Sequence, residues 1–415
     1  MILTKYKLGE ILDVTRGASL SGEYYATEGE YIRLTCGNFD YQNNCFKENK
    51  SKDNLYYVGD FKSEFLMEEG DIITPLTEQA IGLLGSTAII PESGKYIQSQ
   101  DVAKIICKED LLDKDFAFYL ISSALVKQQL SAAAQQTKIR HTSPDKIKDC
   151  TVWIPELSEQ KRIGKLLRSI DRKIELNRAI NQNLEAMAKQ LYDYWFVQFD
   201  FPNEEGKPYK SSGGEMVWNE KLKRKIPNEW DNCKLKDFIN LFDSKRIPLS
   251  SKDREERKGN YPYYGATGIM DYVNEYIFDG DYILLAEDGS TSDSKGFPIV
   301  QYIWGKNWVN NHAHIILPKN EQYLMFTYQM LRSIPAKQIE TGSIQKKISQ
   351  ENLCEYNMVL PNSILIEKYE SIISPLWEKR KLCIEEINAL IKLRDELLPL
   401  LMNGQASVNS DLSDG

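Results

Sequence analysis

Two stretches of the chain carry a long helical pattern, and the rest carries short strand-like patterns. After Pro155, the positions Ile163, Leu167, Ile170, Ile174, Asn177, Asn181, Leu184, Ala188, Leu191 and Trp195 step by four and three residues. After Pro361, Tyr369, Ile373, Leu376, Arg380, Cys383, Ile387, Leu390, Arg394, Leu397 and Leu401 do the same, each 206 residues further on. Sustained steps of four and three keep one seam toward a partner helix, which predicts that the two helices pair as an antiparallel coiled coil. The spans 156–199 and 362–403 would each run about 60 Å at about 1.5 Å per residue. Asn177, Asn181, Arg380 and Arg394 interrupt the seam, and such polar positions fix register or orientation. The alternative is two amphipathic helices, each packed on its own domain.

The sequences before each helix resemble one another in order. Lys7-Leu8-Gly9-Glu10-Ile11 returns as Lys234-Leu235-Lys236-Asp237-Phe238, and Glu69-Gly70-Asp71-Ile72-Ile73 as Asp279-Gly280-Asp281-Tyr282-Ile283. Val152-Trp153-Ile154-Pro155 returns as Met358-Val359-Leu360-Pro361. The offset drifts from 227 to 206, as loops of unequal length in two copies of one domain would produce. Short β-branched runs such as Ala88-Ile89-Ile90 and His314-Ile315-Ile316-Leu317 read as strands, and Asp115–Leu130 and Gln322–Leu331 as helices. The expected fold is therefore α+β with a pseudo-two-fold internal repeat. It comprises a globular domain at 1–155, a long helix at 156–199, a linker at 200–228 rich in Pro, Gly, Ser and charge, a second domain at 229–361, the second helix at 362–403 and a polar tail at 404–415.

Composition narrows the function by exclusion. With 42% apolar and 27% charged residues, the 415-residue chain is too hydrophobic to be a disordered one. No run approaches the roughly 18 apolar residues of a membrane span. The opening MILTKYKLGEILDV lacks the apolar core of a signal peptide, so a soluble cytoplasmic protein is expected. Sixty acids against 52 bases, a net charge of −8, argue against a uniformly basic coat for nucleic acid but not against a local basic face. The seven cysteines are scattered and never spaced CxxC, so neither a disulfide framework nor a zinc site is expected. His312 and His314 would share one side of a strand, but no third ligand is evident, and no metal site is expected.

Catalytic motifs are missing. The chain has no GxxxxGK[ST], no adjacent prolines and hence no DPPY or NPPY, and no strand-linked GxGxxG. Pro144-Asp145 with Glu159-Gln160-Lys161 formally fits a PD…ExK nuclease, but Glu159 and Lys161 fall at the start of a helix where that chemistry needs a strand. No catalytic residue is expected.

Basic and polar segments occur at matching places instead. Residues 137–148 carry Lys138, Arg140, His141, Lys146 and Lys148, and the second copy carries Ser343, Gln345, Lys346 and Lys347. Cations hold phosphates while amides and Arg read base edges, which suits duplex DNA. Arg16 and Arg33 in the first copy, and Lys245, Arg246, Tyr263 and Tyr264 in the second, complete the candidate DNA contacts. Two other readings compete: a coiled-coil scaffold without DNA specificity, and a stand-alone DNA-modifying enzyme.

These features together resemble the specificity subunit of a type I restriction-modification system. The phrases that carry the likeness are Leu157-Ser158-Glu159-Gln160-Lys161-Arg162-Ile163 running into Ile170-Asp171-Arg172-Lys173-Ile174-Glu175-Leu176-Asn177, and Gly342-Ser343-Ile344-Gln345-Lys346-Lys347-Ile348-Ser349. Ile226-Pro227-Asn228-Glu229-Trp230 and Arg394-Asp395-Glu396-Leu397-Leu398-Pro399-Leu400-Leu401-Met402-Asn403-Gly404 add to it. The resemblance implies two target recognition domains, each reading one half of a split, asymmetric double-stranded DNA sequence, with the helices fixing the spacing. It also implies docking of two methylation subunits and, through them, restriction subunits. S-adenosylmethionine, ATP and Mg²⁺ would then belong to those partners and not to this chain.

Overall fold

A computed structural model describes residues 1–78, 82–133, 140–342 and 346–408, the side chains of Ala133 and Arg140 excepted. These form two compact units, Met1–Asn177 with Glu385–Gly415, and Arg178–Ile384. The division cuts through both long helices. Leu157–Tyr192, extended by a π-helical turn at Asp193–Val197, and Ser363–Met402 each supply one portion to each unit.

In the first unit an antiparallel sheet runs in the order Ala88–Ile89, Ile72–Pro75, Val102–Cys107, Leu12–Arg16. A second sheet runs Tyr96–Ile97, Tyr31–Arg33, Tyr56–Tyr57, Tyr25–Ala26, with a parallel first pair. Thr4–Lys7 pairs with Thr151–Ile154 and so delivers the chain to Pro155 and the long helix. Val152 and Ile154 are buried while Trp153 between them is exposed, the alternation a one-sided strand requires. Ile163 and Leu167 of the first long helix and Leu401 of the second close the core beside Leu8, Ile11 and Phe116.

The second unit has sheets in the orders Ile239–Leu241, Ala313–Pro318, Tyr282–Ala286, Val300–Ile303, and Ile269–Val273, Lys258–Tyr264, Lys306–Val309, Phe278–Asp279. Asp231–Lys234 pairs with Asn357–Leu360 just before its long helix. Its core is aromatic, with Tyr192, Trp195 and Phe196 packed against Phe326, Tyr369 and Trp377.

Every seam position named above is buried or half-buried, and none is exposed. In the first unit Ile170 and Ile174 meet Ile387, with Leu390 and Leu397 alongside. Leu184, Leu191 and Leu376 are half-buried and Ile373 is buried in the second. Three of the four polar seam residues, Asn177, Arg380 and Arg394, reach across to the other helix. Asn177 Nδ2 donates to Glu386 Oε2 at 2.7 Å, and Arg394 Nη1 lies 3.0 Å from Asp171 Oδ1. Position 171 thus faces 394 while 177 faces 386, so the two helix portions in this unit run antiparallel. In the second unit Arg380 Nη2 lies 3.4 Å from Glu185 Oε2, and the Tyr369 hydroxyl donates to the Ala188 carbonyl at 3.1 Å. Asn181 Oδ1 is buried with no hydrogen-bond partner among the described residues.

In each unit the long helix meets the N-terminus of a shorter helix, and the two ends are capped differently. Lys114–Ile121 is N-capped by Asp113, whose Oδ1 accepts from Phe116 N at 2.9 Å, and Gly164 of the long helix leaves room for it. A Cβ at Gly164 would lie 2.8 Å from that Oδ1. In the second unit, 206 residues on, Glu370 replaces the glycine. Its Oε1 itself accepts from Phe326 N at 2.7 Å, in the first turn of Leu324–Ser333.

The stretch 200–228, read from composition as a linker, is folded. Met216–Asn219 pairs with Arg224–Pro227, and Asn219 Oδ1 accepts from Lys221 N and Leu222 N in the turn. Phe201 stacks between Tyr209 and Trp230, with ring centroids 4.7 and 5.1 Å away. Two buried aromatics and an Asn-based turn outweigh the breaker-rich composition. No helix among the described residues is long and apolar enough to cross a membrane.

Candidate nucleic-acid interface

In the first unit Arg16 ends its strand on the surface, with Nε donating to the Gln100 carbonyl at 2.8 Å. Gly17 follows because any Cβ there would sit 2.2 Å from the Gln98 carbonyl oxygen. Arg33 is elsewhere: it is buried, its guanidinium 3.8 Å from the Tyr25 ring centroid, with Nη2 donating to the Asn54 carbonyl. A guanidinium enclosed this way serves packing, so the expectation of a surface cation at Arg33 is corrected. Lys138 lies outside the described residues. Arg140–His141 form a strand against Thr77–Glu78, and His141 is exposed. Lys146 is half-buried in the short helix Pro144–Lys148, which Ser143 caps. Glu159 is buried within the long helix and pairs with Arg162, an arrangement without the strand a PD…ExK nuclease would need.

In the second unit Lys245 is exposed, its ammonium 5.1 Å from the Phe242 ring centroid. Tyr263 is 1% exposed and its hydroxyl accepts from Leu249 N at 3.0 Å, so it is a core residue and not a contact residue. Tyr264 is half-buried, and burial pushes its hydroxyl up to about 12. Ser343 and Gln345 lie outside the described residues. Lys346 Nζ is 2.8 Å from Glu340 Oε1 and Lys347 Nζ 3.2 Å from Glu287 Oε1, both lysines about half exposed. Gly342 precedes them at φ +89°, a left-handed backbone that favours glycine.

Arg246 is not a free loop cation either. Its Nη1 lies 2.7 Å from Glu287 Oε2 and donates to the Ala313 carbonyl at 2.8 Å. Arg246 belongs to a charge network that sequence reading missed, with Asp243 and His314 buried, Glu287 beside them and Lys347 at its exposed edge. Burial pushes the Asp243 carboxyl up, but the hydrogen bond and charge of His314 outweigh it and hold it below the ordinary range. Glu287 is likewise held low, as Arg246, His314 and Lys347 outweigh its burial. Asp243, Glu287 and His314 place ligand-type atoms within 4.8 Å of one another. Two cations already fill the acidic side of that cluster, so its chemistry is that of an internal salt network. His312 turns instead to Asp288, 2.7 Å away. The HAH pair was the sequence signal here, but spacing alone brought neither Asp243 nor Glu287 beside it.

Both basic segments are fastened by the same backbone contact. Thr142 N donates to the Leu76 carbonyl at 2.9 Å, and Ile348 N, 206 residues later, donates to the Glu287 carbonyl at 2.8 Å. Each unit thus holds a basic segment of its own beside the core of its sheet.

The whole fold resembles that of a crystallised type I restriction-modification S subunit from M. genitalium, with TM-score 0.62 and 18% identity over 97% of this chain and 96% of that one. The chain belongs to the family described as the type I restriction modification DNA specificity domain, which it matches over residues 3–186 and 227–376. Among its relatives are the MjaIX specificity subunit of Methanocaldococcus jannaschii, 23% identical over 75% of this chain and 73% of that protein, and the HindI specificity subunit of Haemophilus influenzae, 20% identical over 75% and 81%.

Proposed function

We propose that this chain gives a type I restriction-modification complex its DNA specificity, reading a split, asymmetric duplex target with one half-site per unit and contributing no catalytic group. The observation that carries this reading is the pair of basic segments, near 140–148 and 346–348, fastened by equivalent backbone bonds in the two units. Their side chains differ, so the two half-sites should differ, unlike the palindromes of identical dimers. In this reading Arg16, His141, Lys146, Lys245, Lys346 and Lys347 meet DNA, together with Lys138, Arg140, Ser343 and Gln345. Lys346→Ala with Lys347→Ala is expected to weaken binding about tenfold and to flatten the salt slope by about two, the phosphate contacts removed. Unchanged affinity and slope would take this segment out of the interface.

The two domains are read as a pseudo-two-fold repeat, and the helices as a coiled-coil ruler that sets half-site spacing. Outward apolar residues support partner docking on those helices. Leu176, Met187 and Tyr194 are 55%, 53% and 37% exposed; Leu382, Leu393 and Leu400, each 206 residues on, are 60%, 45% and 42% exposed. Two equivalent stripes suit two copies of one partner, the methylation subunit, with restriction subunits joining through it in the cytoplasm. S-adenosylmethionine, ATP and Mg²⁺ would be held by those partners. Leu176→Glu with Leu382→Glu is expected to cut co-purification of methylation subunits at least tenfold at an unchanged melting temperature. Undiminished recovery would place docking elsewhere.

A further inference from the structure

His314 is fully buried on the strand Ala313–Pro318, with both ring nitrogens engaged. Nε2 lies 2.8 Å from the carbonyl oxygen of Ile348, and Nδ1 lies 2.6 Å from Asp243 Oδ2. A carbonyl can only accept, so Nε2 carries a hydrogen. Asp243 Oδ2 also accepts from Gln350 Nε2 at 2.5 Å, and Oδ1 from Ile315 N at 2.9 Å, so the carboxylate is an acceptor throughout. Nδ1 therefore carries a hydrogen as well, and the ring is an imidazolium between two acceptors. Arg246 and Lys347 offset Glu287, the other acid beside the ring.

Ile348 is the residue at which the basic segment rejoins the core. Its N–H is held by Glu287 and its carbonyl by His314, so both backbone groups are fixed immediately after Lys346 and Lys347. Among the described residues, the first unit shows only the amide half of this arrangement. At the register of His314, which pairs with Leu285, it has Ala103, which pairs with Thr74 and offers no side-chain donor. We infer that His314 is a positioning residue for DNA reading by the second unit alone, its Asp243-held imidazolium clamping the Ile348 carbonyl and so aiming the basic segment. This rests on the DNA-reading function proposed above.

The test uses the full chain with its methylation partners and duplexes altered in one half-site or the other. An Asn amide reaches about where Nδ1 sits and a Gln amide about where Nε2 sits, so the two substitutions separate the ring's two contacts. His314→Asn is expected to lower discrimination about tenfold at the second unit's half-site, the scale of one mismatched base pair. Discrimination at the other half-site and nonspecific affinity should stay unchanged, and His314→Gln should keep most of the discrimination. Equal loss at both half-sites, or none at either, would overturn the clamp. If His314→Asn does not fold, Gln350→Ala, whose side chain is exposed, gives the same reading with an expected loss of about threefold. If the unaltered chain discriminates at neither half-site, it is the DNA-reading function that fails. Hydrogen exchange at 346–350 then decides the clamp, which requires exchange at least tenfold faster without the Nε2 donor.

Discussion

Arg394→Ala is expected to lower the melting temperature of the chain by about 10 °C, a loss of about 3–5 kcal/mol from the first unit. Arg394 and Asp171 are 10% and 12% exposed at their side chains, and Tyr119 donates to the other Asp171 oxygen at 2.5 Å. A pair this enclosed adds little over an apolar pair of the same shape, but removing one partner leaves a charge in a poor solvent. The Asp171 charge, next to a buried hydroxyl, then has no ion-pair partner among the described residues. Arg394→Met with Asp171→Asn, which removes both charges and leaves an acceptor for Tyr119, should recover most of the loss. Calorimetry on the three proteins checks this; a single variant melting within 1 °C of the parent would count against it.

The second unit is expected to lose about 3 kcal/mol of stability between pH 4.5 and pH 7.5 through one carboxyl group. Burial raises Glu370 to about 7, and the hydrogen bonds from Phe326 N and Ser374 do not bring it back. Across this window the folded chain holds a proton that the unfolded chain, ionising near about 4.3, has released. Stability is thus fully present below the unfolded value and falls as pH rises through the folded one. Glu370→Gln keeps an acceptor for the Phe326 amide and removes the titration, so its stability profile should be flatter by about that amount. Denaturant melts at the two pH values decide it, and parallel profiles for parent and variant would refute it.

The long helices were legible in the sequence because they repeat one requirement at every turn. Ile163, Leu167, Ile170, Ile174, Ile373 and Ile387 face inward where the steps of four and three place them. Strand alternation was legible at Val152-Trp153-Ile154 for the same reason. Positions fixed by distant partners were not legible. Which of Tyr263 and Tyr264 turns inward depends on the pairing of Lys258–Tyr264 with Lys306–Val309, and Arg33 is claimed by Tyr25 on another strand. His314 read as one of an HAH pair without further partners because Asp243, 71 residues earlier, cannot be placed beside it from spacing. The stretch 200–228 read as a linker because composition registers its breakers and not the stacking of Phe201 on Trp230.

The division of the long helices has a consequence for how the chain folds as it is made. The second unit is one uninterrupted segment, Arg178–Ile384, and can close as soon as that segment is synthesised. The first unit needs two separate segments, since Ile170 and Ile174 find Ile387, and Ile163 and Leu167 find Leu401, only after the second unit has been made. The part synthesised first is therefore the last to be completed. A chain cut short after Ile384 would keep every strand of the first unit and lose the surface those strands and their helix were built to cover.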